Sequence, residues 1–448
     1  MRLGILTSHP IQYQAPWFRR LAKEVELEVF FAHRPDAAQQ GEGFGKSFSW
    51  DVDLLSGYKH HFLKNVSPRP SPSRFFGCDT PEITKIIEGL QDNGQRTTGQ
   101  QVSGQSSVVN GQRTRCFDAF IVCGWHLKSY WQAVRACRRV EIPVLVRGDS
   151  QLMTPRSRLK TWIKEITYRL MLRQFDGFLV VGQRNREYMS HYGVPAEKMF
   201  FAPHFVDNDF FKQKAETLKS QKAEIRSKWG IPEEAFCVLF CGKFIAKKRP
   251  LDLVEAARIL IAENAKDGSK RPVHLLFVGS GELGAELRRS CHVVFDAENA
   301  SLSASDGERV EVRRAPQPST INNQLPPASF TGFLNQSELP AAYVAANVLV
   351  LPSDGGETWG LVVNEAMACG LPAIVSDAVG CAPDLVDKTG FVYSVGDVAA
   401  LVECLERLSG LQDSHFDFST VLSKKLSNYS VKVAVEGTLQ AVKVLAVK

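Results

Sequence analysis

Pro352-Ser-Asp-Gly-Gly-Glu-Thr-Trp-Gly-Leu-Val-Val-Asn-Glu-Ala-Met-Ala-Cys-Gly-Leu-Pro372 lies between two short apolar runs, Val348 to Leu351 and Ala373 to Val375. Both runs read as buried strands of a parallel sheet. Between them Gly355-Gly356 marks a turn and Gly360 to Cys369 reads as a helix. Gly370 followed by Pro372 is a stop signal. The stretch is therefore a strand handing over to a helix at the carboxyl edge of an α/β sheet, where ligands bind in open sheets of this kind. Glu357 and Glu365 sit at that edge. On one continuous helix they would be about 80° apart in rotation and about 12 Å in rise. The glycine pair instead puts Glu357 ahead of the helix. The amides of Gly360, Leu361 and Val362 would then point into the cleft with the positive end of the helix dipole, which suits a phosphate. A diphosphate with hydroxyl-rich ends would fit between the two carboxylates, because carboxylates accept hydrogen bonds from sugar hydroxyls. Two ordinary solvated glutamates fit the spacing equally well.

Outward from this stretch the same rhythm recurs. In the second half Cys237 to Cys241 and His274 to Val278 read as strands. Pro250 to Glu263 and Glu282 to Arg289 read as helices, and a charged helix precedes them at about Ala215 to Trp229. In the first half Leu3 to Leu6, Glu26 to Ala32, Phe117 to Cys123, Pro143 to Val146 and Gly177 to Val181 read as strands. Helices are expected near 15–23, 83–90, 130–139 and 158–173. This alternation predicts an α/β protein with two Rossmann-like domains facing each other across a cleft. The boundaries read as 1–205 for the first domain and 206–425 for the second. A C-terminal helix in 426–448 could pack back on the first domain. Two stretches break the rhythm, 91–115 and 299–328, and both read as low-complexity insertions into the core.

The bulk numbers agree. A chain of 448 residues with 44% hydrophobic and 23% charged content is globular and long enough for two or three domains. No apolar run approaches the roughly 20 residues of a membrane helix. The opening Met-Arg-Leu-Gly-Ile-Leu reads as a first strand rather than a signal peptide. The 10 cysteines show neither disulfide nor metal spacing, as expected of reduced thiols in a cytoplasmic protein. A net charge of +6 does not call for nucleic acid, and suits a phosphorylated ligand, an anionic membrane surface or a plain solvated surface.

Two further turns follow strands. Cys241-Gly-Lys-Phe-Ile-Ala-Lys-Lys-Arg-Pro250 carries enough positive charge to neutralise phosphate, or is simply a solvated basic turn. Val278-Gly-Ser-Gly-Glu-Leu283 is a glycine turn without the third glycine of a dinucleotide fingerprint.

Taken in order, these elements resemble the donor-binding domain of retaining glycosyltransferases of family 4, the group 1 glycosyltransferases of GT-B fold. The resemblance rests on Gly242-Lys243 with Lys248, on Gly279-Ser-Gly-Glu-Leu283, on Phe330-Thr-Gly-Phe-Leu334, on Ala346 to Ser353 and on the paired glutamates. It covers about 230–400 well and the first half more loosely. It implies a retaining, metal-independent hexosyltransferase-type enzyme with no cofactor, moving a sugar from a nucleotide-diphosphate sugar to a hydroxyl of a glycan, lipid or small molecule. Glu357 would contact the transferred sugar and Glu365 the ribose. Lys243, Lys248, Gly242 and the amides of 360–362 would hold the diphosphate, and Phe333 and Leu334 the base. His126, at the end of Val122-Cys-Gly-Trp-His126, resembles the family's histidine beside the sugar. Arg147 and Asp149 end the next strand as acceptor-side candidates.

There are departures. Ser8-His-Pro-Ile-Gln-Tyr-Gln14 lacks the family's glycine loop, which makes His9, Gln12 and Tyr13 candidate side-chain substitutes. Lys243 replaces an arginine and loses its bidentate geometry. His204-Phe205 replaces the usual Asn-Gly before Val206-Asp207. Two rivals share the architecture: a nucleotide-sugar 2-epimerase and a non-catalytic nucleotide-sugar-binding protein. Finally, 156–173 carries Arg156, Arg158, Lys160, Lys164, Arg169 and Arg173 against one Glu165. Leu159, Trp162, Ile163, Ile166 and Leu170 recur there at helical spacing. This reads either as a peripheral contact with the anionic inner face of a membrane or as a core-facing stripe with a solvated basic face.

Overall fold

The structure, a computed structural model, describes residues 1–41, 45, 47–90, 108–109, 112–113, 115–154, 157–265, 270–298, 325–414 and 416–446. Most of the two expected insertions, 91–115 and 299–328, lies outside these residues. Within the first, β4 (Val108–Val109) and β5 (Gln112–Arg113) form a short antiparallel ribbon. At the end of the second, Pro327 and Ala328 already belong to a strand rather than a loop.

Two seven-stranded parallel sheets carry the chain. The first orders its strands β3-β2-β1-β6-β7-β8-β9. These are β1 (Arg2–Thr7), β2 (Glu26–Phe31), β3 (Lys59–Phe62), β6 (Ala119–Val122), β7 (Val144–Gly148), β8 (Gly177–Val180) and β9 (Met199–Phe201). The second orders β12-β13-β11-β10-β14-β15-β16. These are β10 (Phe236–Cys241), β11 (Val273–Val278), β12 (His292–Asp296), β13 (Pro327–Gly332), β14 (Val348–Leu351), β15 (Ala373–Ser376) and β16 (Phe391–Tyr393). Chain order reverses beside β1 in the first sheet and beside β10 in the second, which makes the carboxyl ends of β1/β6 and β10/β14 the two switch points.

The central strands are buried on both faces. All six residues of β10, Phe-Cys-Val-Leu-Phe-Cys, are buried, as a parallel strand between helical layers requires. Each sheet has an apolar cluster on either face. Phe30, Phe120 and Phe178 fill one side of the first sheet, and Phe240, Phe277 and Phe330 one side of the second. Each such fully buried side chain contributes roughly 1.5–3 kcal/mol of transfer free energy.

The expected charged helix at 215–229 is instead two helices, Asn208–Leu218 and Lys222–Lys228. The first starts early because Asp207 caps it, accepting from the Phe210 amide at 3.1 Å. The second turns Arg226 inward, where Nε donates to the Ala345 carbonyl at 2.8 Å and Nη1 to that of Glu233 at 2.6 Å. The last helix, Val431–Ala446, leaves the second sheet. Its Ala434, Val435, Ala441 and Val442 share a cluster with Leu3, Ile5, Trp17 and Phe18 of the first. All 10 cysteines are unpaired. No helix among the described residues is long and apolar enough to cross a membrane.

Candidate active site

The floor of the cleft is built where β10, β11 and β14 end. Gly242 follows β10 with φ +149°, and Gly279 and Gly281 follow β11 with φ +128° and +150°. The two turns lie backbone on backbone: the Phe244 amide donates to the Ser280 carbonyl at 2.8 Å and the Leu283 amide to the Phe244 carbonyl at 2.9 Å. A Cβ on Gly279 would come within 2.0 Å of the Gly242 carbonyl oxygen. The glycines after β11 are thus explained by this close approach, without any ligand.

The basic turn then meets the glutamate loop. Lys248 Nζ is ion-paired to Glu357 Oε2, with both side chains only 15% exposed. The loop is latched on at the Asp354 amide, which donates to the Lys247 carbonyl at 2.9 Å. Asp354 in turn accepts from the Gly356 amide at 2.7 Å. Glu357 lies ahead of the helix Leu361–Ala368, which Gly360 opens with φ +99°. The amides of Gly360, Leu361 and Val362 have no partner among the described residues.

Glu365 is kept quite differently. It is 1% exposed, one turn inside the helix. Tyr13 Oη, reaching over from the first half, donates to its Oε1 at 2.9 Å, and Tyr343 Oη donates to Oε2. Burial pushes its pKa up to about 7, and the two phenol bonds pull it only part of the way back.

The first half closes over this floor along a second strand end. Gln151 is fully buried, and its Nε2 donates to the carbonyl of Glu357 at 2.8 Å and to those of Ala378 and Gly355 at 3.2 and 3.3 Å. A Cβ on Gly355 would stand 2.0 Å from the Met153 carbonyl oxygen, so only glycine admits this contact. Thr358 Oγ1 donates to Asp149 Oδ2 at 2.6 Å, and His204 stands 3.8 Å from the same carboxylate. Behind them Trp359 packs against His204 with ring centroids 5.3 Å apart. Asp384 of the second half accepts from the Gln183 amide at 3.0 Å, at the start of the helix Gln183–His191 of the first.

Between the halves lies a cavity of about 780 Å³ lined by His9, Gln12, Trp50, the 69–74 segment, Lys243 and Ile245. His9 Nδ1 is 2.9 Å from Ser8 Oγ, and burial, with the neighbouring His33, lowers its pKa to about 4. His126 is exposed behind the cavity's lip, its Nε2 donating to the Pro72 carbonyl at 3.2 Å. Phe333 meets Phe48 of the first half at 4.3 Å between ring centroids, and Leu334 packs on the second half's core.

Arg147 does not join this group. It is buried with its guanidinium on the carbonyls of Ala202 and Pro203, over the rings of Trp17 and Phe205. Its guanidinium is used to hold the segment that follows β9, and no face is left for an acceptor. The glutamates, Lys248, Tyr13 and Asp149 are brought together, while His9, Gln12 and Lys243 line the cavity beside them. Sequence reasoning missed Tyr343, Gln151 and Phe48. Tyr343 lies in a short apolar helix, Leu339–Ala345, and carries no signal. Gln151 had one: it lies just past the end of β7, in the same loop as Asp149.

The family model described as "Glycosyl transferases group 1" matches residues 302–410. Sulfoquinovosyl transferase SQD2 of Arabidopsis thaliana is 44% identical over 90 residues, 19% of this chain and 17% of that one. A D-inositol 3-phosphate glycosyltransferase of Salinispora arenicola is 29% identical over 246 residues, 52% of this chain and 49% of that one. The chain therefore spans about half the length, or less, of these curated relatives. Among solved structures, a glycosyltransferase of Rickettsia africae superposes with TM-score 0.62 at 12% identity, covering 99% of this chain and 98% of the other. Anabaena HepE in complex with UDP superposes with TM-score 0.61 at 14% identity, covering 99% and 100%. The paired parallel sheets and these whole-chain superpositions give the chain the GT-B fold, two Rossmann-like domains closed over a cleft.

Proposed function

We propose that the protein is a retaining glycosyltransferase that moves a sugar from a nucleotide-diphosphate sugar to an acceptor hydroxyl. The observation that carries this reading is the convergence of Lys248, Glu357 and the open end of the helix Leu361–Ala368 at the switch point of the second sheet. Bond cleavage at the sugar's anomeric carbon leaves negative charge on the diphosphate and positive charge on the ring, as in other glycosyl chemistry. Lys248 and the helix amides stabilise the first, and Lys243 approaches from the cavity wall. Glu357 stabilises the second and orients the sugar. On this reading the acceptor oxygen attacks the face from which the diphosphate leaves, and the departing phosphate takes the acceptor's proton.

Glu365 is assigned to the ribose, which requires the donor to displace Tyr13 from the carboxylate. Phe333 and Leu334 are assigned to the base, with Phe48 moving aside. Uridine diphosphate, which the Anabaena neighbour binds, is the first nucleotide to try. The matched relatives, by their names, transfer sulfoquinovose or act on an inositol phosphate, so polyol phosphates are the first acceptors to try.

The test is incubation of the purified protein with UDP-, ADP- and GDP-sugars, with and without acceptors, followed by product analysis. Transfer with the donor's anomeric configuration kept supports the reading. An epimerised nucleotide sugar formed without acceptor makes the protein an isomerase. Binding without turnover of any donor makes it a sugar-nucleotide-binding protein.

A further inference from the structure

The helix Arg158–Leu172 is packed inside out. Leu159, Trp162, Ile163, Ile166 and Leu170 are exposed to 67%, 63%, 47%, 50% and 57%. At 100° per residue these five fall within about 100° of arc, a single continuous stripe. The face turned to the protein instead carries Lys164, Tyr168 and Leu172. Lys164 is buried with its ammonium 4.5 Å from the ring centroids of both Tyr168 and Tyr188 and 5.3 Å from that of Tyr192. The fold thus hides a lysine in an aromatic cage and leaves a tryptophan, two leucines and two isoleucines in water. The core-facing alternative for this stripe is excluded by the same exposures.

We propose that this helix docks the protein on an anionic lipid surface, the stripe entering the headgroup boundary. Charge on the page favours that occupant. With the caged Lys164 set aside, the segment 156–173 still has five basic residues, Arg156, Arg158, Lys160, Arg169 and Arg173, against Glu165. That one carboxylate is already spent on Arg169 at 2.7 Å and His191 at 2.9 Å. Arg173 is exposed at the far end of the helix. A basic helix with a separate apolar face lies in a membrane interface and is drawn to anionic headgroups. Size argues against a second copy of the chain: a stable protein interface takes about 20–30 residues a side, whereas this stripe has five. The helix begins seven residues after Gln151, whose amide touches the Glu357 carbonyl, so docking turns the lip of the cleft toward the lipid.

The test uses the full chain with vesicles of phosphatidylcholine alone and with about one quarter phosphatidylglycerol. Sedimentation should bring the protein down with the anionic vesicles roughly tenfold more strongly than with the neutral ones, and about 0.5 M salt should weaken it. Trp162→Glu, and separately Ile166→Ser with Leu170→Ser, should each lower binding by about tenfold. Both positions are exposed, so the circular dichroism spectrum and melting temperature should hold. No binding to anionic vesicles, or equal binding to neutral ones, overturns the proposal. So does a wild-type dimer in analytical ultracentrifugation that Trp162→Glu dissociates, because a second copy would then cover the stripe.

Discussion

The turns that follow the first strand of each sheet meet the cleft from opposite sides and are made of opposite materials. After β10 the chain presents Gly242, with its backbone packed on Gly279, and then lysines, one of them paired to Glu357. After β1 it presents Ser8-His-Pro-Ile-Gln-Tyr-Gln14, whose side chains fill space: His9 and Gln12 wall the cavity, and Tyr13 crosses to Glu365. The first turn brings lysine charge to the cleft, which suits an anion. The second occupies a carboxylate that a ligand would want. The two glutamates inherit this contrast. Glu357 is matched by a cation, and Glu365 is buried between phenols, which makes its ionisation costly. On the proposed reading, one side of the cleft serves the chemistry and the other its closure.

The sharpest way to break this division is Glu357→Gln. If Glu357 acts on the reacting sugar, transfer should fall by about a hundredfold to a thousandfold, the scale seen when one preorganised electrostatic group is removed. Donor affinity, read by calorimetry, should stay within about threefold, because the lost interaction belongs to the transition state. Full activity in this variant would remove Glu357 from the mechanism.

The division also shows what could be read from the chain. The strand–turn–helix unit at 348–375 was legible because its signals are local: an apolar run, a glycine pair, a helix and a glycine stop. The same local signals gave nine of the fourteen sheet strands, while β3, β9, β12, β13 and β16, most of them at sheet edges, were not read. Glu365 was legible as a residue but not as an environment. Its partners, Tyr13 and Tyr343, lie 352 and 22 positions away, and no local pattern announces a hydrogen bond across a domain boundary. Arg147 failed in the complementary way. A strand's end puts it at the cleft edge, and only the fold reveals that Ala202 and Pro203 draw its guanidinium inward. The helix at 158–172 had the correct period, but period alone does not say which side faces water.

A second test separates the glutamates by pH. The folded-state pKa of Glu365 is raised, to about 7, from an ordinary value of 4.5. A raised pKa contributes stability that is complete below about 4.5 and is lost as pH rises through about 7. Between those limits its ionisation should cost roughly 3 kcal/mol of folding stability. Denaturation at pH 5 and pH 8 measures it. Glu365→Gln should flatten the difference by that order, since a neutral amide fills the same space. An unchanged slope would mean that Glu365 is ionised at ordinary cost and that the phenols are not holding a strained carboxylate.

Lys248→Ala comes next. Losing a charge-assisted contact to the diphosphate should weaken donor binding by about tenfold to a hundredfold. The effect should shrink for donor analogues that lack the phosphates. If free sugar and nucleotide sugar lose affinity equally, Lys248 is only Glu357's counter-ion.

The smallest effect bears most directly on closure. The Tyr13 hydroxyl donates to Glu365 at 2.9 Å across the cleft. A ribose assigned to that carboxylate has to take its place. Tyr13→Phe keeps the ring and removes the competitor, so donor binding should tighten by about threefold to tenfold, the worth of one ordinary hydrogen bond. Tyr343 bonds the same carboxylate but belongs to the same half as Glu365, in the helix Leu339–Ala345. Tyr343→Phe should therefore not tighten the donor, and should weaken it by leaving the carboxylate less well held. Opposite signs for two phenol-to-phenyl changes on one carboxylate are what a cross-cleft latch predicts. If Tyr13→Phe weakens donor binding instead, Tyr13 is a donor contact, and the first domain's turn recognises the ligand with side chains where a glycine loop would use backbone.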